Sequence, residues 1–294
     1  MMFATNDQLQ LLQRARKWYR DGTFRVVRKP FRQLWSIHAF LRKGETMKQV
    51  PLLFVMMSRR RKQDYIAVLE KLLDIMDEAP VVERFTMDFE AGLWQALRQI
   101  FPGASLKGCG FHWAQAIQRR VQELGLMTTY RHIEGVHQII RKLLALPFLP
   151  GSDIPRAFKK LFDKVDVSSQ ALVDLFEYVN DQWLENSLWS AEEWSVYRQT
   201  VRTNNETEGW HRRLNSQAGR GVIPFYVLLT LLLQEAKLVN IHLQLVTEAG
   251  VGRYRREVNR NMDAKVMDLW DMYDAHDVVC EEFLLEIGSI YGNF

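Results

Sequence analysis

The sequence predicts a mixed α/β chain with a five-stranded mixed sheet, interrupted by an all-helical insertion and followed by C-terminal helices. Three observations point there. Up to Leu126, short β-branched and aromatic runs alternate with segments of helical period. From about Thr129 to Gln199 every segment reads as helix. Pro224 then opens a long apolar helix, and no strand signal follows it.

Taken in order, WYRDGTFRVV carries a hairpin signal, with Asp21-Gly22 as its turn. QLWSIHAFL and VPLLFVMM read as two further strands, separated by the polar stretch Arg42 to Gln49. DYIAVLEKLLDIM repeats Ile66, Leu69, Leu72, Leu73 and Met76 at helical spacing. VERFTMDFE is a strand ending at Asp88, and AGLWQALRQIF is a helix stopped by Pro102-Gly103. SLKGCGFHW is a short strand leading into the helical AQAIQRRVQELG. Three strands, helix, strand, helix, strand is the order of ribonuclease-H-like folds.

The chain has 294 residues, 47% hydrophobic and 25% charged, an ordinary globular composition with ample aromatics for a core. No apolar run approaches the roughly 20 residues of a membrane span, so no membrane partner is expected. Cys109 and Cys280 stand far apart, which excludes a disulfide framework and favours a reducing compartment. Net charge is only +4, but its distribution is uneven. The first 62 residues hold fifteen Lys or Arg against Asp7, Asp21 and Glu45, whereas the stretch after Met262 is rich in acids. A basic N-terminal third suits a phosphate-facing surface, and a solvated face accounts for it equally well.

Four local patterns carry a more specific signal. They are DGTF with QLWSIH at residues 21 to 38, MDFEAGLWQALRQIFP at 87 to 102, GCGFHWAQAIQRRVQELGL at 108 to 126, and RTNNETEGWHRRLN at 202 to 215. In this order and spacing they resemble Mutator-like element (MULE) transposases, in particular the animal versions. The resemblance implies a ribonuclease-H-like catalytic DDE domain whose three acids hold two Mg²⁺ or Mn²⁺ ions. Matched position by position, the acids are Asp21 of DGTF, Asp88 of MDFE and Glu208 of the NN-x-x-E pattern. Together with the helical pattern after Leu126, this divides the chain into four segments: residues 1–128 as the first part of the core, 129–200 as the helical insertion, 201–220 as the core helix bearing the third acid, and 221–294 as a C-terminal helical region.

Cleavage and joining of DNA strands need a nucleophile near neutral pH and stabilisation of a leaving oxyanion, which paired hard cations on carboxylates supply. Each acid also has a plainer reading: Asp21 as a turn residue, Asp88 as a helix N-cap, Glu208 as a solvated helical acid. Cys109 and His112 form a C-x-x-H pair without the second pair that a structural zinc site needs. The resemblance implies a stabilising role for them at a strand-to-helix junction near the active site. Arg59, Arg60, Arg61, Lys62, His211, Arg212 and Arg213 are candidate contacts to the DNA backbone. The expected partner is double-stranded DNA in the nucleus. Family members generally carry a zinc-binding recognition domain upstream, and no Cys/His cluster precedes Asp21, so recognition of a DNA site is expected to come from a separate chain or to be absent. The acidic C-terminal helices are a candidate homodimer surface. The competing reading is a domesticated transposase that binds DNA or chromatin without catalysis.

Overall fold

The computed structural model describes the chain except residues 24, 25, 45, 187, 203, 204, 218–222, 249–256 and 292–294, and except the side chains at positions 205, 208, 217 and 257–260. It divides into two units, Met1–Leu106 with Asn204–Tyr254, and Lys107–Thr203 with Arg255–Phe294. Residues 107–128 therefore go with the helical unit, and the C-terminal region is shared between the two.

The first unit is built on a mixed sheet of six strands rather than five. The extra one is β1, Met2–Phe3, which pairs antiparallel with β4 and covers that edge. Two paired residues at a chain start carry no periodicity, so no sequence pattern marks them. After α1 (Asn6–Arg14), capped by Thr5 and Gln8, come β2 (Lys17–Thr23), β3 (Gln33–Lys43) and β4 (Thr46–Met57). Then follow α2 (Lys62–Ile75), β5 (Arg84–Met87), α3 (Ala91–Ile100) and β6 (Ser105–Gly108). The strand order is β1-β4-β3-β2-β5-β6. β2, β3 and β4 run antiparallel, and β5 joins β2 in parallel.

Two local expectations are corrected. Asp21-Gly22 is not a turn: both residues lie inside β2, with Asp21 opposite Ser36 and Gly22 opposite Trp35. Pairing on both flanks of β2 overrides the turn preference of the dipeptide, and the glycine keeps its use, because a Cβ there would sit 3.2 Å from Gln33 Oε1. The polar stretch Arg42 to Gln49 does not separate two strands either, since β3 and β4 pair as far as Lys43 and Thr46. Arg42, Lys43 and Gly44 at this end of the hairpin are exposed, whereas Gln49 is buried.

Strand alternation sorts the side chains. Leu34, Phe54 and Met56 face α10 (Asn205–Gln217) and α11 (Phe225–Thr247), forming a core with Trp210, Leu214, Leu228 and Leu232. Trp35 faces the other way and meets Tyr65 of α2 at 5.8 Å between rings. By length and composition α11 could cross a membrane, contrary to the expectation that no segment would qualify. Here Leu228, Leu232, Ala236 and Val239 are buried, and the helix packs on β3 and β4.

The second unit carries the helical stretch: α4 (Gly110–Glu123), α5 (Met127–His132), α6 (Glu134–Ala145), α7 (Ile154–Phe162), α8 (Gln170–Val179) and α9 (Ala191–Trp194). With them go α12 (Glu257–Asp274) and α13 (Cys280–Tyr291). Its centre is aromatic. Trp113 stacks on Trp194 at 4.6 Å and meets Trp183 edge-on at 4.7 Å. Gly288 lets α13 approach α6, where a Cβ would come 3.1 Å from Arg141.

Candidate active site

Asp21 is 6% exposed and points to the α10 face of the sheet. Its Oδ1 accepts the Gly22 N–H at 2.7 Å. Burial, then the neighbouring Asp88 carboxylate, push its pKa up to about 7, against the pull of the Gly22 N–H and the Arg20 charge. The two acids are neighbours because of strand register. β2 and β5 pair as far as Tyr19 with Thr86, two residues before each acid, which brings Asp88 near Asp21. Asp88 follows the last residue of β5. It is not the N-cap of α3; that position is Glu90.

Arg20, next to Asp21, faces the opposite side of the sheet and is 1% exposed. Its guanidinium donates to Asp88 Oδ1, and at 3.0 Å to both Glu90 Oε2 and the Tyr65 hydroxyl. Tyr65 donates in turn to Glu90 Oε1 at 2.7 Å and accepts from Gln33 Nε2 at 2.6 Å. Burial opposes the Arg20 charge. Asp88, then Tyr65, Glu90 and Asp21, more than offset it, so the guanidinium pKa is raised. This network went unrecognised in the sequence, although a signal existed: Arg20 shares strand parity with the buried Trp18, and a charge on a core face must be paired.

α10 lies along the α10 face through residues one and two turns apart. Thr207 Oγ1 donates to Gln49 Oε1 at 3.0 Å, and Trp210 stacks on Phe54 at 5.6 Å. Asn215 Nδ2 reaches Thr23 Oγ1 at 3.4 Å. His211, on the same side, is 5% exposed, with Nε2 3.6 Å from Asp21 Oδ2. Burial, then the Arg20 charge, lower its pKa to about 3, so at neutral pH the imidazole is uncharged and the two groups do not form an ion pair. Neither ring nitrogen has a hydrogen-bond partner among the described residues. Glu208 is on α10, one turn before His211, and its side chain lies outside the described residues.

Of the basic candidates, Arg59, Arg60 and Arg61 are exposed and join Arg28, Lys29 and Arg32 around an open groove of about 1640 Å³. The second trio was not singled out in the sequence, since nothing there tells which cations meet across 30 residues of hairpin. Arg61 pairs with Asp64 at 3.0 Å, and Lys62 begins α2. The Arg60–Lys62 backbone packs against the start of α3, where a Cβ on Gly92 would come 2.7 Å from the Arg60 carbonyl oxygen. Gly92→Ala is expected to cost about 1–3 kcal/mol in a urea melt, because backbone has to move. Arg212 is exposed, whereas Arg213 bonds Glu235 at 2.7 Å, beside the Trp210 N–H on the same carboxylate at 2.8 Å. Cys109 and His112 belong to the second unit: Cys109 is buried at the junction between β6 and α4, and His112 is in the first turn of α4.

Among the described residues no group of three or more His, Cys, Asp or Glu is arranged to hold a metal ion. The donors on hand are Asp21 and Asp88. Their mutual repulsion is what a hard cation relieves, and Asp88 Oδ2 takes no hydrogen bond among the described residues. The pair fits such an ion, with Arg20 holding the other Asp88 oxygen.

Comparison with curated proteins finds no match. Residues 17–116 match the family model of the MULE transposase domain, a span that contains Asp21, Asp88 and the basic groove. From β2 into α4, about a third of its length, the chain is similar to the MULE transposase domain.

Proposed function

We propose that the first unit is a ribonuclease-H-like core that cleaves and joins DNA strands, with Asp21, Asp88 and Glu208 as the acids of a two-metal site. The reading rests above all on one observation: the parallel pairing of β2 with β5 brings Asp88, just past the end of β5, close enough to Asp21 for its charge to help raise the Asp21 pKa. An antiparallel trio extended in parallel by β5 supports the fold assignment. When bound, Mg²⁺ or Mn²⁺ would activate the attacking water or 3′-hydroxyl and stabilise the leaving oxygen. The protein's own part is positional. Asp21 Oδ2 and Asp88 Oδ2 present oxygens, Arg20 fixes the Asp88 rotamer, and α10 brings position 208 alongside β2. The groove of Arg28, Lys29, Arg32 and Arg59–Arg61 would hold the backbone of duplex DNA in the nucleus, independent of sequence.

The test is nicking of supercoiled DNA in Mg²⁺ or Mn²⁺. Asp21→Asn and Asp88→Asn are each expected to lower the rate by at least about a hundredfold, the scale of losing a transition-state charge stabiliser. An unchanged rate in Asp88→Asn overturns the assignment.

One observation favours a second reading, a DNA-binding module without catalysis. Arg20 bridges Asp88 and Glu90, so the fold already supplies a counter-charge to these two acids. Gel-shift titration separates the two readings. A pure binder keeps its salt-dependent affinity when both acids are replaced and nicks at no metal concentration.

A further inference from the structure

His211 is a polar side chain that the fold buries and leaves unsatisfied. Both ring nitrogens are shielded from solvent without a hydrogen-bond partner among the described residues, an arrangement that native interiors rarely tolerate. The imidazole is not loosely placed. It sits edge-on to Trp210 at 4.8 Å, and α10 is held down on either side of it by the Thr207–Gln49 and Asn215–Thr23 bonds. Nearby His38 is satisfied, with Nε2 2.9 Å from Ser36 Oγ. His211 Nε2 instead faces Asp21 Oδ2 at 3.6 Å, too far for a hydrogen bond. Two donors on one divalent ion, each about 2.0–2.2 Å from it, lie up to about 4.2 Å apart. The observed gap falls inside that reach.

We propose that His211 Nε2 is a nitrogen ligand to the cation held by Asp21, so that the site takes a divalent transition ion in preference to Mg²⁺. The assignment rests on the proposed two-metal reading and narrows it. Imidazole is a softer donor than carboxylate and suits transition ions, whereas Mg²⁺ strongly favours oxygen.

Pulsed electron paramagnetic resonance of Mn²⁺ bound to the full chain tests this directly. The expected spectrum shows coupling to one ring nitrogen, which changes to the ¹⁵N pattern when the protein is made with ¹⁵N-histidine. In His211→Ala the coupling is expected to vanish and the Mn²⁺ affinity to fall by at least about tenfold, with a smaller loss for Mg²⁺. The isotope arm uses the unaltered protein, so it stands even if the variant folds poorly. Bound Mn²⁺ without nitrogen coupling, its affinity still lowered by Asp21→Asn, overturns the role of His211 and leaves the two-metal reading in place. Coupling that persists in His211→Ala assigns the nitrogen elsewhere and overturns the role too. No Mn²⁺ binding at all overturns both.

Discussion

Asp21→Asn is expected to stabilise the cation-free chain by about 2–4 kcal/mol at pH 8 while removing its nicking activity. The folded chain holds the Asp21 carboxyl at a pKa of about 7, against an ordinary 3.8. Between those two pH values the folded state keeps a proton that the unfolded state has released. Raising pH through the window therefore lowers stability, and above about 7 the whole cost of a charged, buried carboxylate is in force. At about 1.36 kcal/mol per pH unit that cost comes to about 4 kcal/mol, and an amide that is never charged avoids most of it. Urea melts from pH 4 to pH 8 read the effect: the wild type loses stability across the range and Asp21→Asn loses less. Mn²⁺ is expected to restore the wild type at pH 8 and to leave the variant nearly unmoved. Equal slopes for the two proteins would show that Asp21 is solvated or compensated in the fold.

Arg20→Ala is expected to cost about 3–5 kcal/mol, enough to unfold a marginal domain. The guanidinium bridges Asp88 and Glu90 and bonds Tyr65, with its own side chain 2% exposed and the two acids 24% and 14% exposed. Removing it strands two carboxylates whose only strong counter-charge it was among the described ion pairs. The loss should ease when the acids go as well. Arg20→Ala combined with Asp88→Asn and Glu90→Gln is expected to recover part of the stability, because the stranded charges rather than the missing contacts dominate. Thermal melts of the single and triple variants measure this. A triple variant less stable than the single one would mean that packing of Arg20 on Trp35 and Tyr65 is the larger contribution.

Much of this unit is legible in one dimension. The strands that become β2 to β6 and the helices that become α2, α3 and α4 follow from apolar period. Asp21, Asp88 and Glu208 were singled out because ordered motifs surround them. The places where reading failed share a cause. Asp21-Gly22 has the local preference of a turn, yet β3 and β5 claim the strand from both sides, and a dipeptide cannot register partners that lie 15 and 67 residues away. His211 was a candidate contact to the DNA backbone, yet it is buried, because the position of a helix relative to the sheet decides which of its faces meets solvent.

Sequence alone named the candidates: the three acids, the cationic N-terminal third, and an apolar pattern that alternates with the strand in one stretch and the helix turn in the next. These are local quantities, carried by residue type and spacing. Tertiary structure decided what each group meets. It paired Arg20 with Asp88 across the sheet, left His211 without a partner beside Asp21, and raised the Asp21 carboxyl toward neutrality. Desolvation and Coulomb interaction depend on distance and on the surrounding dielectric. Both are set only when strands far apart in the chain come into register.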